Sequence, residues 1–262
     1  MTIELDLTDA TVAEHPLAQS AESPGPESPG PKSPGLQSPS LKSPSLRVEK
    51  ALLRDGAECI IGIDEVGRGA LAGPVAVGAT ILKLPAPRIP AGLRDSKLLT
   101  PLAREALHVP VQRWVAGYAV GLSSAAEIDE FGIIAALGFA ARRALERLVE
   151  HPMWVGEPVI VLDGSHDWLT RVLPAPATVR ARVKADRDVA IVSAASVLAK
   201  VYRDRMMVEL HDDHPAYGWS SNKGYAAPEH WAGLDEHGPS PLHRHTWLTR
   251  WGSSQQPLFA LE

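Results

Sequence analysis

Residues 59–74 read Cys59-Ile60-Ile61-Gly62-Ile63-Asp64-Glu65-Val66-Gly67-Arg68-Gly69-Ala70-Leu71-Ala72-Gly73-Pro74. The apolar run Cys59–Ile63 predicts a buried strand that ends on two adjacent acids. The small-residue stretch Gly67 to Gly73 predicts a turn, and Val75–Leu82 predicts a second strand. Neighbouring side chains on a regular strand point to opposite faces. A turn opening directly behind Glu65 ends the strand and lets both acids address one site. Taken alone, such a pair is more often a salt bridge or a solvated loop.

Outward from this stretch, Val48 to Leu53 predicts a short helix before the first strand, and Leu93 to Thr100 a polar loop. Pro101 suits the first position of a helix ending near Arg113. Trp114 to Leu122 predicts a strand. Ser123 or Ser124 caps a short helix with Glu127 in reach, and Ile133 to Val149 is a longer helix of 3.6-residue periodicity. Pro158–Leu162 is a continuous apolar strand. Thr178–Val183 is another, with Val179, Ala181 and Val183 alternating with Arg180, Arg182 and Lys184. Ile191 to Leu210 predicts a long helix and Pro228 to Glu236 a short one. Strands alternating with helices make this an α/β layered chain with a partly parallel sheet.

The acids recur at strand ends. Asp163 follows the apolar strand Pro158–Leu162, and Asp186 follows Thr178–Val183. Ligands in open α/β sheets gather at the carboxyl ends of strands. Acids brought together there repel one another and resist ionisation unless cations lie between them. Two divalent ions about 3.5–4 Å apart are the usual solution for cutting a phosphodiester, and an all-oxygen donor set favours magnesium or manganese over zinc.

The run Asp64 to Pro74 resembles the active-site signature of the bacterial type 2 ribonuclease H (ribonuclease HII) family. Further similar motifs follow in order: Leu93-Arg94-Asp95-Ser96-Lys97-Leu98, Glu127-Ile128-Asp129, Leu162-Asp163-Gly164 and Val183-Lys184-Ala185-Asp186. Ser193 through Lys200, Arg203-Asp204, Tyr217-Gly218-Trp219, Asn222-Lys223-Gly224-Tyr225 and His243-Arg244 complete the series. The resemblance spans roughly residues 48 to 250. It implies a ribonuclease H-like fold: a central mixed five-stranded sheet flanked by helices, with a helical C-terminal part. It implies an endonuclease for the RNA strand of RNA–DNA hybrids, cutting 5′ to ribonucleotides embedded in duplex DNA. The same resemblance makes Asp64, Glu65, Asp163 and Asp186 the catalytic and metal-binding carboxylates for two Mg2+ or Mn2+ ions. The family carries Gly before the last aspartate where this chain has Ala185. Asp186 is preferred to Asp188 because it keeps the family spacing of seven to Ser193; Asp188 is expected at a helix N-terminus, facing the dipole.

Gly67, Arg68 and Gly69 can bring backbone close to a sugar edge, and the 2′-hydroxyl is what separates RNA from DNA. In the resembling family this loop reads that hydroxyl, and the tyrosine matching Tyr225 stacks on the adjoining deoxyribose. Lys97, Lys200, Arg203 and Lys223 are candidate phosphate contacts, with Lys200 and Arg203 three apart on one helix face. Ser96 and Ser196 are candidate phosphate donors, with capping as the competing role. His211-Asp212-Asp213-His214 has no second cluster nearby and is not taken as a metal site. Most of the seven tryptophans are expected in packing roles.

The formal net charge of −5 argues against a generic nucleic-acid binder. Residues 1–47 hold six acids and three bases, however, leaving 25 acids and 23 bases in the remainder. A near-neutral body still binds phosphates where bases cluster and cations cover acids. The lone Cys59 allows no intramolecular disulfide and reads as a buried strand residue. No secretory signal or membrane-length apolar run is evident, so a cytoplasmic monomer is expected. Residues 21–46 repeat Ser-Pro every five residues, with prolines at 24, 29, 34, 39 and 44. The expected organisation is a disordered tail over 1–46, a catalytic domain over 47–250 and a flexible tail over 251–262. Within the last, Gln255-Gln256-Pro257-Leu258-Phe259 resembles the short peptides by which replication and repair proteins dock on a bacterial sliding clamp. Packing of Leu258, Phe259 and Leu261 back onto the domain is the alternative.

Overall fold

The computed structural model describes residues 43–248. In chain order the main elements are α1 (Arg47–Arg54), β1 (Ile60–Val66), β2 (Val75–Ile81), α2 (Pro101–Trp114), β3 (Gly117–Ser123), α3 (Ala125–Phe131) and α4 (Ile133–Leu148). Then follow β4 (Val159–Asp163), β5 (Thr178–Arg182), α5 (Ala185–Asp188), α6 (Ala190–Asp213), α7 (Trp219–Asn222) and α8 (Pro228–His237). The strands form one mixed sheet in the order β3-β2-β1-β4-β5. β2 runs antiparallel to both β1 and β3, and β4 and β5 join β1 in parallel. This is the ribonuclease H-like sheet that the resemblance implies, with helices on both faces and a helical C-terminal part.

Glycines on the strands set how closely the helices pack. A Cβ on Gly121 of β3 would lie 1.9 Å from the Ala140 carbonyl of α4, and one on Gly62 of β1 would lie 2.6 Å from the Ile191 carbonyl of α6. The two helices therefore rest on opposite faces, backbone nearly against strand. Thr80 reinforces the α6 side by donating its hydroxyl to the Ile191 carbonyl at 2.9 Å. Ile191, Val192, Val197, Leu198 and Val201 of α6 are buried. At roughly 1.5–3 kcal/mol for each large aliphatic side chain removed from water, this packing outweighs the lack of a self-supplied N-cap. The N-cap function comes from elsewhere: Glu49 of α1, fully buried, accepts the Ile191 N–H at 2.9 Å.

Several boundaries move. Trp114 belongs to α2 rather than to the following strand, which starts at Gly117. β5 is an exposed edge strand: Ala181 faces solvent and Val183 is 60% exposed, so the alternation there does not mark a buried face. Order begins before Val48, since Pro44 is buried and the Ser45 N–H donates to the Asp188 carbonyl at 3.1 Å. The Ser-Pro expectation for residues 1–42, and the clamp-like peptide at 255–259, lie outside the described residues. Asp188 stands in the single turn of α5, two positions before α6 begins, and its carboxylate lies 3.7 Å from Arg182. Among the described residues, no helix is long and apolar enough to cross a membrane.

Candidate active site

β1 outlasts its parallel partner. Its pairing with β4 ends at Ile63↔Leu162, while Asp64 and Glu65 remain paired to β2 opposite Gly78 and Val77. The strand thus runs through both acids to Val66, so the turn expected directly behind Glu65 opens one residue later. Asp64 is 2% exposed, and its Oδ1 accepts the Glu65 N–H at 2.9 Å. Asp163 is the last residue of β4. Its Oδ1 accepts the Ala185 N–H at 2.7 Å and the Asp186 N–H at 3.3 Å, fastening α5 to the strand end. Asp186 is buried, and its Oδ2 receives the Lys97 ammonium at 3.0 Å. The four sequence-predicted acids therefore gather at the carboxyl end of the parallel strands.

Their electrostatics are strained. Burial, then the charges of Glu65 and Asp163, hold the Asp64 carboxyl well above the usual carboxylate range, against the pull of Lys97 and a Ser196 hydrogen bond. Burial and Asp163 likewise raise Glu65, which Arg68 partly offsets. Burial and Asp186 raise Asp163. Burial works against the Lys97 ammonium, yet Asp64, Asp186 and Asp95 together push its pKa up. The Lys97 ammonium and the Arg68 guanidinium, 3.4 Å from Glu65, face four acids and leave negative charge incompletely compensated, and Glu65 Oε2 is buried with no hydrogen-bond partner. An oxygen-only donor set with an orphaned carboxylate oxygen suits a hard divalent cation. Among the described residues, no three acid, His or Cys side chains converge as a finished ligand set. Waters and substrate phosphate would therefore have to complete any coordination, as is usual for magnesium.

The loop after β1 is held by two buried arginines. Arg203 of α6 donates to the carbonyls of Pro74 (2.8 Å), Lys223 (2.9 Å) and Ala72 (3.1 Å). Arg244 donates to those of Gly67 (2.7 Å), Arg68 (2.9 Å) and Gly73 (3.1 Å). Both are 0% exposed. Burial and the nearby Arg203 charge push Arg244 down to about 9, still cationic at neutral pH. Gly67 has φ +80°, and a Cβ there would meet Arg203 Nε at 2.1 Å, so a side chain is excluded on two counts. Tyr225 closes the loop from the other side: its hydroxyl accepts the Gly67 N–H at 3.2 Å, and the Gly224 carbonyl accepts the Leu71 N–H at 2.8 Å. Arg68 and Gly69 stay exposed on the rim.

The remaining sequence candidates divide. Arg203 is not a phosphate contact in this arrangement: it is fully buried and its guanidinium is committed to carbonyls. Ser96 and Ser196 are also buried, with hydroxyls 2.9 Å apart, so they brace the acid cluster from within rather than face outward. Lys200 pairs with Asp204, which also accepts Arg104 at 3.1 Å. Lys223 curls back onto the Ser220 and Ser221 carbonyls. Lys200, Lys223 and Tyr225, with Arg104, Asp204 and Arg205, line a groove of about 580 Å³ whose walls include none of the four acids.

Arg244 carries no role legible in the sequence, because its acceptors lie more than 170 positions away. The same holds for Asp129, whose side chain accepts the His245 and Thr246 N–H groups at 2.8 and 3.0 Å and so anchors the segment that delivers Arg244.

The sequence model of the Ribonuclease HII family matches residues 61–250. A Ribonuclease HII of Streptomyces coelicolor is 49% identical over 201 residues, covering 76% of this chain and 82% of the relative. The Archaeoglobus fulgidus structure described as a PCNA:RNase HII complex is similar at a TM-score of 0.58 and 25% identity, covering 76% of this chain and 98% of that one. Bst-RNase HIII in complex with Mn2+ is similar at a TM-score of 0.56 and 25% identity, covering 70% and 64%. With the mixed five-stranded sheet and the acids at its strand ends, these similarities establish that the chain belongs to the ribonuclease HII family, endonucleases acting on the RNA of RNA–DNA hybrids.

Proposed function

We propose that the chain cuts duplex DNA on the 5′ side of embedded ribonucleotides as well as RNA–DNA hybrids, in the service of DNA repair and replication. The products are a 3′-hydroxyl and a 5′-phosphate. In this reading Asp64, Glu65, Asp163 and Asp186 hold two divalent cations, Mg2+ or Mn2+. When bound, the cations supply a water of lowered pKa and a Lewis acid for the departing oxygen. The water oxygen bonds to phosphorus, the phosphorus–O3′ bond breaks, and O3′ takes a proton. Asp64, most buried of the four candidates with Asp186, would be a ligand to the cations, and the orphaned Glu65 oxygen would be available to them. Gly67, Arg68 and Gly69 read the 2′-hydroxyl through backbone held by Arg203 and Arg244. Tyr225 packs against the neighbouring sugar. Lys97 steadies the acids and meets substrate phosphate, and Lys200 and Lys223 meet the backbone along the groove.

The observation that carries this reading is the under-compensated acid cluster standing beside a rigid Gly-Arg-Gly loop. An inert hybrid-binding module would not need to keep four like charges together at this cost. The test is a duplex carrying one ribonucleotide. Expected is magnesium- or manganese-dependent cleavage 5′ to it, abolished by EDTA and by a deoxynucleotide at that position. Full activity in excess chelator, or equal rates on all-DNA duplex, overturns the proposal. Residues 255–259 are in addition proposed to dock on a sliding clamp, a reading supported by their Gln-x-x-Leu-Phe pattern and by the PCNA complex of the A. fulgidus relative.

A further inference from the structure

Behind Tyr225 lies a buried pair of imidazoles that the catalytic reading does not use. His230 of α8 and His243, just before Arg244, are both 0% exposed, and their Nε2 atoms are 3.0 Å apart. The protons of this pair are fixed by groups that can act in only one way. The Trp219 indole N–H, a donor only, points at His230 Nε2 at 3.3 Å, so that nitrogen carries no proton. His230 is then protonated on Nδ1, which donates to the Tyr225 carbonyl, an acceptor only, at 2.9 Å. At the other end the Ser240 N–H donates to His243 Nδ1 at 2.9 Å. His243 therefore carries its proton on Nε2 and donates it to His230.

We propose that His230 and His243 are positioning residues for substrate: a neutral, single-tautomer imidazole relay that fixes the Tyr225 backbone against the Gly67 loop. The proposal rests on the reading of Tyr225 as a wall of the substrate site. Tyr225 is held at both ends, its carbonyl by His230 and its hydroxyl by the Gly67 N–H. His243 lies beside the same loop, forming an isolated bridge with Ala72, and the next residue, Arg244, grips three of the loop's carbonyls. The relay thus joins the two supports of the 2′-hydroxyl-reading end. Burial lowers the pKa of both rings, His243 to about 4, in keeping with a pair that stays neutral. A proton added to His243 Nδ1 would confront the Ser240 N–H; one added to His230 Nε2 would confront two donors. The titratable groups facing the pair are Tyr217, His214, His245 and Glu229, with Arg203 and Arg244 on the loop side.

The test combines ring spectroscopy with two variants that divide the functions of one imidazole. Nitrogen-15 spectra of the full chain at neutral pH should show His230 protonated on Nδ1, the less common tautomer, and His243 on Nε2. His230→Asn keeps a donor near the Nδ1 position and should leave KM for a single-ribonucleotide duplex near wild type. His230→Gln loses that donor and should raise KM roughly 2- to 10-fold with little change in kcat. Either ring protonated on the opposite nitrogen overturns the proposal, and this reading needs no variant to fold. Equal effects of Asn and Gln, or a wild-type KM in His230→Gln while Tyr225→Ala raises KM, overturn the positioning role alone. An unchanged KM in Tyr225→Ala overturns the substrate reading on which it stands.

Discussion

Replacing Arg244 with Met tests whether the Gly67–Pro74 loop is held in place from behind. The side chains are of similar length, so the change removes hydrogen bonds and charge more than volume. Three carbonyls, of Gly67, Arg68 and Gly73, lose their guanidinium donors. The Gly67 carbonyl keeps the Ala70 N–H at 3.2 Å, so two acceptors are left without a partner; at about 1–3 kcal/mol each the gross loss is about 2–6 kcal/mol. Part returns because Arg203 no longer shares its buried surroundings with a second cation, the same repulsion that lowers the Arg244 pKa. A net destabilisation of about 2–4 kcal/mol follows, and at roughly 2–4 °C per kcal/mol for a domain of this size the melting temperature should fall by roughly 4–16 °C. Calorimetry reads this directly. A parallel assay of all-DNA duplex against single-ribonucleotide duplex reads the loop's function, and discrimination should fall even at temperatures where the variant is folded. A melting temperature within about 2 °C of wild type, with discrimination intact, would refute the view that Arg244 organises the loop.

Three further outcomes are expected. Deleting residues 1–42 should leave the melting temperature unchanged, whereas deleting 1–46 removes Pro44, the Ser45 hydrogen bond to Asp188 and Leu46, and should lower it by about 2–8 °C in calorimetry. His243 titrates at about 4 in the folded chain against about 6.5 for a free imidazole. Its contribution to stability is therefore fully present above roughly pH 6.5 and is lost as pH falls towards 4. The raised carboxyls act with the opposite sign, so the informative quantity is the difference between wild type and His243→Asn, which should lose less stability over that window in chemical denaturation. A peptide of residues 252–262 should bind purified sliding clamp in a calorimetric titration and compete with other clamp-binding peptides; a Kd weaker than roughly 1 mM would end that proposal.

The layered architecture was readable because its strands are apolar runs bounded by turn residues, as in Cys59–Ile63 and Pro158–Leu162, and because α4 carries clean 3.6-residue periodicity. The acids were readable through position and motif together: Asp64-Glu65 and Asp163 end apolar strands, Asp186 follows the exposed edge strand β5, and the ordered series of motifs singled them out from ordinary loop acids. What escaped was set by partners distant in sequence. In the sequence Arg203 reads as a candidate phosphate contact on a helix face, yet the carbonyls of Ala72 and Pro74 that take its guanidinium lie 131 and 129 positions away. The acid that accepts an amide at the start of α6 is Glu49, 142 positions before it. The four-residue helices α5 and α7 are too short for periodicity to register. They stand where Asp163 accepts two successive amides of α5 and where Trp219 of α7 buries its ring among Tyr217, His230 and His243.

The central claim is that Asp64, Glu65, Asp163 and Asp186 act together as a cation-dependent centre. Its most direct test is a manganese titration followed by electron paramagnetic resonance, with the chain bound to a single-ribonucleotide duplex made uncleavable at the scissile phosphate. Turnover of the cleavable duplex is measured alongside. Two bound ions per complex are expected in the wild type, with fewer in Asp64→Asn and turnover lower by several orders of magnitude. No specifically bound ion in the wild type, or wild-type turnover in Asp64→Asn, would contradict the account.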